Sequence, residues 1–167
     1  WPLIVADSAD EAALDELVLR TTAVVTTVGP YLKYGLGLVS ACAKGGTHYA
    51  DLTGETPFVR QIIDDYDELA RSTGARIVNS CGFDSIPSDL GVLLAYEHAR
   101  DRGLGHLTDT TLVVVAMKGG FSGGTIDSMR TTVDVVKADP QLRTVINDKF
   151  ALSPDRSNEP TRDQPRD

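Results

Sequence analysis

No Gly-x-Gly-x-x-Gly run occurs anywhere in the 167 residues, so the chain lacks the glycine turn that grips a dinucleotide pyrophosphate at a helix N-terminus. Cysteine is nearly absent too. Cys42 and Cys81 are the only two, which excludes a disulfide framework and points to free thiols in a reducing, cytoplasmic setting. Long apolar runs are missing: residues 23–28 and 112–117 are strand-length, far short of a membrane span. There is no initiator Met and no basic leader, and an opening in a strand-like run reads as the signature of a fragment. A net charge of −8 without clustered Lys or Arg argues against a nucleic-acid surface. Three scattered histidines, His48, His98 and His106, support neither a metal cluster nor a hydrolase triad.

What is present is an alternation of β-branched runs and helical periods. Residues 3–6 read as a buried strand ending at Asp7. Ser8, followed three residues later by Glu11, then forms a capping-box pattern for a helix to about residue 20. Residues 23–28 read as a strand covered on both faces, stopped by Gly29-Pro30. A helix over 34–44 closes at Gly45-Gly46, and a third strand covers 47–50. Thr56-Pro57 supplies an N-cap and a first-turn proline. The helix that follows carries Phe58, Ile62, Ile63, Tyr66, Leu69 and Ala70 on one side and its acidic residues off that face. A fourth strand over 75–79 and a helix over 85–102 complete the alternation, which implies a parallel sheet with right-handed crossovers. The pattern changes after Gly103. A strand over 110–117, helices ending near 137 and 150, and a Pro-, Arg- and Asp-rich disordered tail from 153 follow. The expected organisation is therefore a partial doubly wound α/β domain over 1–103, the start of an α+β domain over 108–152, and a tail over 153–167.

Parallel strands place four strand ends on one edge: Asp7, then Val28-Gly29-Pro30, then Asp51 to Glu55, then Ser80 to Asp84. Such an edge forms the ligand crevice of an open α/β sheet. His48 and Cys81 belong to opposite edges, so they do not pair as base and nucleophile, and Cys81 reads as a small buried filler. Residues 119–125 have the glycine spacing of a P-loop but lack its lysine. A strand, glycine-rich loop and helix N-terminus there leave an anion-friendly site and a plain flexible turn as equal alternatives.

Three runs are more specific: Gly29-Pro30-Tyr31; Gly46-Thr47-His48-Tyr49 through Asp51-Leu52-Thr53-Gly54-Glu55; and Cys81-Gly82-Phe83-Asp84-Ser85-Ile86-Pro87-Ser88-Asp89-Leu90-Gly91. Together they resemble the saccharopine dehydrogenase-like oxidoreductases, and within them the actinobacterial trans-acting enoyl reductases. Lys118-Gly119-Gly120, Gly123-Gly124-Thr125-Ile126-Asp127-Ser128-Met129 and Ala151-Leu152-Ser153-Pro154 are similar to that subgroup as well.

The resemblance implies a Rossmann-type domain binding NADP or NAD, joined to an α+β substrate or dimerisation domain. Asp7 would lie near the adenine, Val28, Gly29, Pro30 and Tyr31 along the nicotinamide ribose, and Gly82, Phe83 and Asp84 beside the nicotinamide. Tyr31 and Asp84 are the candidate catalytic groups for the proton step, and no metal is implied. The implied reaction is reduction of an acyl chain's carbon–carbon double bond, with an acyl substrate on a polyketide synthase carrier as partner. An amino-acid oxidoreductase of the saccharopine dehydrogenase type and a non-catalytic nucleotide-binding, lipid-associated protein are the alternatives. Peripheral membrane association and a homodimer stay open. Without upstream strands, the sheet is expected to carry an open edge and an uncovered apolar face.

Overall fold

The computed structural model describes residues 2–120 and 122–159. In chain order these form α1 (Glu11–Leu19), β1 (Ala23–Thr26), α2 (Tyr31–Tyr34), α3 (Leu36–Gly45), β2 (His48–Asp51), α4 (Thr56–Thr73), β3 (Ile77–Val78), α5 (Ile86–Asp101), α6 (Gly123–Ala138) and α7 (Pro140–Asn147). The strands make one parallel sheet in the order β1-β2-β3, with Ala23 opposite His48, Thr26 opposite Asp51 and Tyr49 opposite Ile77. Each strand pair is joined through a helix, as parallel pairing requires. All three strands therefore end on the same side of the sheet.

The core lies between one sheet face and three helices. α3 carries Ala41, Cys42 and Ala43, and these small side chains let it pack between α1 and α4. Leu14 and Val18 from α1, Val39 and Cys42 from α3, Tyr49 from β2, and Phe58 and Ile62 from α4 meet there. The amphipathic reading of α4 holds: its apolar side is inward, and its outer side carries the i,i+4 pairs Arg60–Asp64 and Arg71–Asp67. Such exposed pairs add little stability individually.

Several expectations need correction. Residues 2–6 form no strand and are mostly exposed, so the sheet has three strands rather than four among the described residues. A run this short has no ladder of its own and finds no neighbour to supply one. α1 is capped by Asp10, whose Oδ1 accepts the Ala13 amide at 3.1 Å, rather than by Ser8. β1 is covered on one face only: Thr26 is buried while Val25 is 76% exposed. The helix expected over 34–44 starts at Tyr31 and is divided at Gly35. Thr56 falls inside the first turn of α4, leaving the cap position to Glu55.

The strand expected over 110–117 is also absent. Residues 101–120 are exposed throughout, and Val115 is 92% exposed without a pairing partner. α5 buries only Ala99, although Val92, Leu93 and Leu94 lie along it. α6 begins one residue after Ser122, whose Oγ accepts the Thr125 amide at 3.1 Å. Within the expected tail, residues 156–158 form a 3-10 turn and Arg156 pairs with Asp148 at 2.8 Å. Trp1, Phe121 of the glycine-rich run and residues 160–167 of the tail lie outside the described residues.

Candidate functional site

The loops at the C-terminal ends of β1, β2 and β3 are locked together by two buried carboxylates. Asp51 is 1% exposed. Its Oδ1 accepts the Thr53 amide at 3.1 Å and the Ser80 amide at 2.9 Å. Its Oδ2 accepts the Tyr49 hydroxyl at 3.0 Å and the Asn79 amide at 2.7 Å. A buried carboxylate is tolerated when its lone pairs are met in this way. The result ties the end of β2 to the loop after β3, reinforced by Cys81 N–H donating to the Asp51 carbonyl at 2.7 Å and Ser80 Oγ donating to the Thr53 carbonyl at 2.7 Å.

Glu55 does the same between β1 and β2. It is 4% exposed, and its two oxygens accept the Tyr31 amide at 2.9 Å and the Leu32 amide at 2.8 Å. Tyr31 is buried against Phe58, with ring centroids 5.5 Å apart. Its hydroxyl donates to the Thr26 carbonyl at 3.2 Å and accepts the Leu52 amide at 3.4 Å. Burial pushes the Tyr31 phenol above its ordinary pKa, and the nearby Asp51 and Glu55 charges add to the effect against a lowering by the Leu52 amide. Burial, with Asp51 beside it, raises the Tyr49 phenol further.

Against this strand edge α6 forms a second wall, and a cleft of about 700 Å³ lies between them. The sheet side contributes Gly29, Tyr31, Leu52, Glu55 and Asp84; α6 contributes Thr125, Ser128, Met129, Thr132 and Val133. On the α6 side hydroxyls and apolar groups recur at intervals of three and four residues, so they share one helix face. The charged side chains lining the cleft are Glu55 and Asp84, both acidic. Lys33 and Asp127 pair at 3.6 Å and link α2 to α6.

The candidate residues from the sequence separate into groups. Gly29, Tyr31 and Asp84 line the cleft. Val28 is exposed beside it and Pro30, which follows a cis peptide bond, is buried. Gly82 packs beneath Asp84, but Phe83 turns outward and is 80% exposed. Asp7 does not line the cleft; its Oδ1 accepts the Ala9 amide at 2.9 Å in the turn before α1. His48 and Cys81 do lie at opposite ends of the sheet. His48 Nδ1 accepts the Arg76 amide at 3.1 Å at the entry to β2. Cys81 is exposed rather than a buried filler, because the loop after β3 has no covering element over that side chain. Cys42 is the buried thiol, and burial pushes its pKa up to about 11.

The clamping roles of Asp51 and Glu55 and the hydroxyl face of α6 were missing from the residue-level candidates. The Asp-x-Thr-x-Glu spacing marks the loop but not the partners that join it to its neighbours, which lie more than twenty positions away. The α6 face was legible as Ser and Thr at helical spacing.

No protein-family model matches the chain. It is 54% identical over 160 residues to a protein of Mycobacterium tuberculosis named "Putative trans-acting enoyl reductase", covering 96% of this chain and 38% of that protein. It is 48% identical to a trans-acting enoyl reductase of Mycobacterium ulcerans and 47% identical to one of Mycobacterium bovis, in both cases over 96% of this chain and 38% of the relative. The chain thus spans about two fifths of the length of the curated relatives it matches.

Proposed function

We propose that this chain forms the nicotinamide side of a Rossmann-type domain in an NAD(P)-dependent enoyl reductase of the saccharopine dehydrogenase-like class. The whole protein would reduce enoyl groups in trans, as the relatives are named, with acyl chains on a polyketide synthase carrier as the substrate that the sequence resemblance implies. The observation that carries this reading is the cleft at the C-terminal strand edge. An open parallel sheet receives a nucleotide there, and the loops on that edge are held rigid by Asp51 and Glu55.

The fit to a nicotinamide half is physical. Gly29 has no side chain where a Cβ would stand 3.4 Å from the Tyr31 ring and 3.6 Å from Ser128 Oγ. That opening lets a flat ring or a ribose approach backbone. The bound dinucleotide supplies the hydride, and the protein's part is to bind, orient and exclude water. Gly29 and Tyr31 would form the ribose-side wall. Leu52 and Met129 present apolar surface, while Thr125, Ser128 and Thr132 offer hydroxyls to a carbonyl or carboxamide. Asp84 is exposed in the cleft, where it would orient substrate or a proton-bearing water. Tyr31 is a poorer donor because its hydroxyl already donates to the Thr26 carbonyl.

The charge inventory favours an acyl over an amino-acid substrate. An amino-acid substrate with several carboxylates needs cationic partners, whereas the side chains lining this cleft among the described residues include no Lys or Arg. An uncharged acyl group suits hydroxyl and apolar walls. The test is an equilibrium titration of the protein, at the full length of its relatives, with NADPH and NADH followed by an enoyl thioester. Binding of one dinucleotide and its consumption only with the thioester are expected. Binding without consumption would favour a non-catalytic nucleotide-binding protein.

A further inference from the structure

We infer that Glu55 is the positioning residue that sets the width of the nicotinamide wall, an inference that rests on the functional reading above. Both its oxygens accept backbone amides of the neighbouring loop, at 2.9 Å from Tyr31 and 2.8 Å from Leu32. Its own amide donates to Thr53 Oγ1 at 3.1 Å, and its carbonyl accepts the Val59 amide at 3.2 Å inside α4. The residue is therefore fixed at its backbone by the β2 loop and at its carboxylate by the β1 loop. No other side chain among the described residues bridges these two loops through paired backbone amides.

The consequence is mechanical. Gly29 and Tyr31 form one side of the cleft and Leu52 another; Glu55 links the two loops through its paired bonds, beside the single longer bond from the Leu52 amide to the Tyr31 hydroxyl at 3.4 Å. Charge-assisted hydrogen bonds are shorter and stronger than neutral ones, so the carboxylate holds this spacing more tightly than an amide would. In Glu55→Gln one acceptor becomes an NH₂ group facing an N–H donor. One bond is lost and two donors oppose each other, which lets the Gly29–Tyr31 turn move away from Leu52. Glu55 would not touch the reacting carbon; it acts through the turn it holds.

The readout that distinguishes positioning from bulk stability is dinucleotide affinity set against turnover. In the full-length protein, E55Q is expected to raise the dissociation constant of the preferred reduced dinucleotide about tenfold, with kcat at saturation within about threefold of wild type. Arg60→Met serves as the control. It removes the Arg60 bond to the Ala151 carbonyl, at 3.1 Å and away from the cleft, and should lower the melting temperature without changing affinity. Should E55Q not fold, Glu55→Asp keeps the charge but is too short to meet both amides, and the same weakening is expected. A folded E55Q or E55D with wild-type affinity overturns the inference, as does an equal loss in Arg60→Met. Wild-type protein that binds neither dinucleotide would overturn the functional reading and this inference with it.

Discussion

The Asp84 carboxylate stands over Gly82: a Cβ at position 82 would lie 2.5 Å from Asp84 Oδ1 and 3.1 Å from Leu52 Cβ. The glycine is thus the space in which the acid sits. Gly82→Ala should push the carboxylate out of place and cost about 1 kcal/mol of stability or more, because Leu52 Cβ cannot swing away. In the full-length protein turnover should fall while dinucleotide affinity is retained. Wild-type turnover in a folded Gly82→Ala variant would show that the placement of Asp84 is immaterial.

Asp84 itself makes no hydrogen bond to the protein among the described residues and is exposed. Asp84→Asn should therefore leave the melting temperature unchanged. If the residue orients substrate or a proton-bearing water, turnover should drop about tenfold or more, which corresponds to roughly 1.4 kcal/mol of transition-state stabilisation. Steady-state kinetics beside a thermal melt separates the two roles.

Asp51→Asn should behave in the opposite way. The substitution leaves one amide NH₂ among donors that now meet the carboxylate from Tyr49, Thr53, Asn79 and Ser80. A loss of about 2–4 kcal/mol is expected, since buried donors would go unmet. A chemical denaturation series on the variant and wild type measures it.

Alkaline pH should destabilise the fold in a defined order. The Cys42 thiol is raised from 9.0 to about 11 and the Tyr31 and Tyr49 phenols are raised above 10.0. Groups with raised folded pKa values hold their protons more tightly in the native state. Their stabilisation is complete below the unfolded values and is lost as pH rises through the folded ones. Melting temperature should fall from about pH 9 upward, each group adding a slope of at most about 1.4 kcal/mol per pH unit. Cys42→Ala should remove the decline between about pH 9 and 10, lessen it up to about pH 11, and leave the share of the tyrosines unchanged.

The parts of the fold legible in the sequence were those fixed by local chemistry. The apolar side of α4 and its first-turn Pro57 depend on residues close in the chain, and the structure shows them. Strands were harder, because a β-branched run becomes a strand only when a neighbour supplies its ladder. Residues 3–6 and 110–117 have the composition without the neighbour. At the site, the shared edge of Gly29, the Asp51–Glu55 loop and Asp84 followed from parallel topology. The clamps made by Asp51 and Glu55 did not, because they join loops that sequence order keeps apart.

The same missing neighbours predict association. Val25 and Val78 on the sheet, Leu93 and Leu94 on α5, and Val113 and Val115 in the extended segment are exposed. Contiguous apolar surface and unpaired strand edges favour self-association. The isolated chain should associate in sedimentation at micromolar concentration, whereas a polypeptide of the relatives' full length should do so less. An isolated chain that stays monomeric would show that these faces are not adhesive.

The most direct measurement is transfer of deuterium from dinucleotide deuterated at the nicotinamide C4 to an enoyl thioester by the full-length protein. The account predicts deuterium in the saturated acyl product, with transfer weakened in Asp84→Asn. A full-length protein that binds the dinucleotide yet places no deuterium in the acyl chain would contradict it.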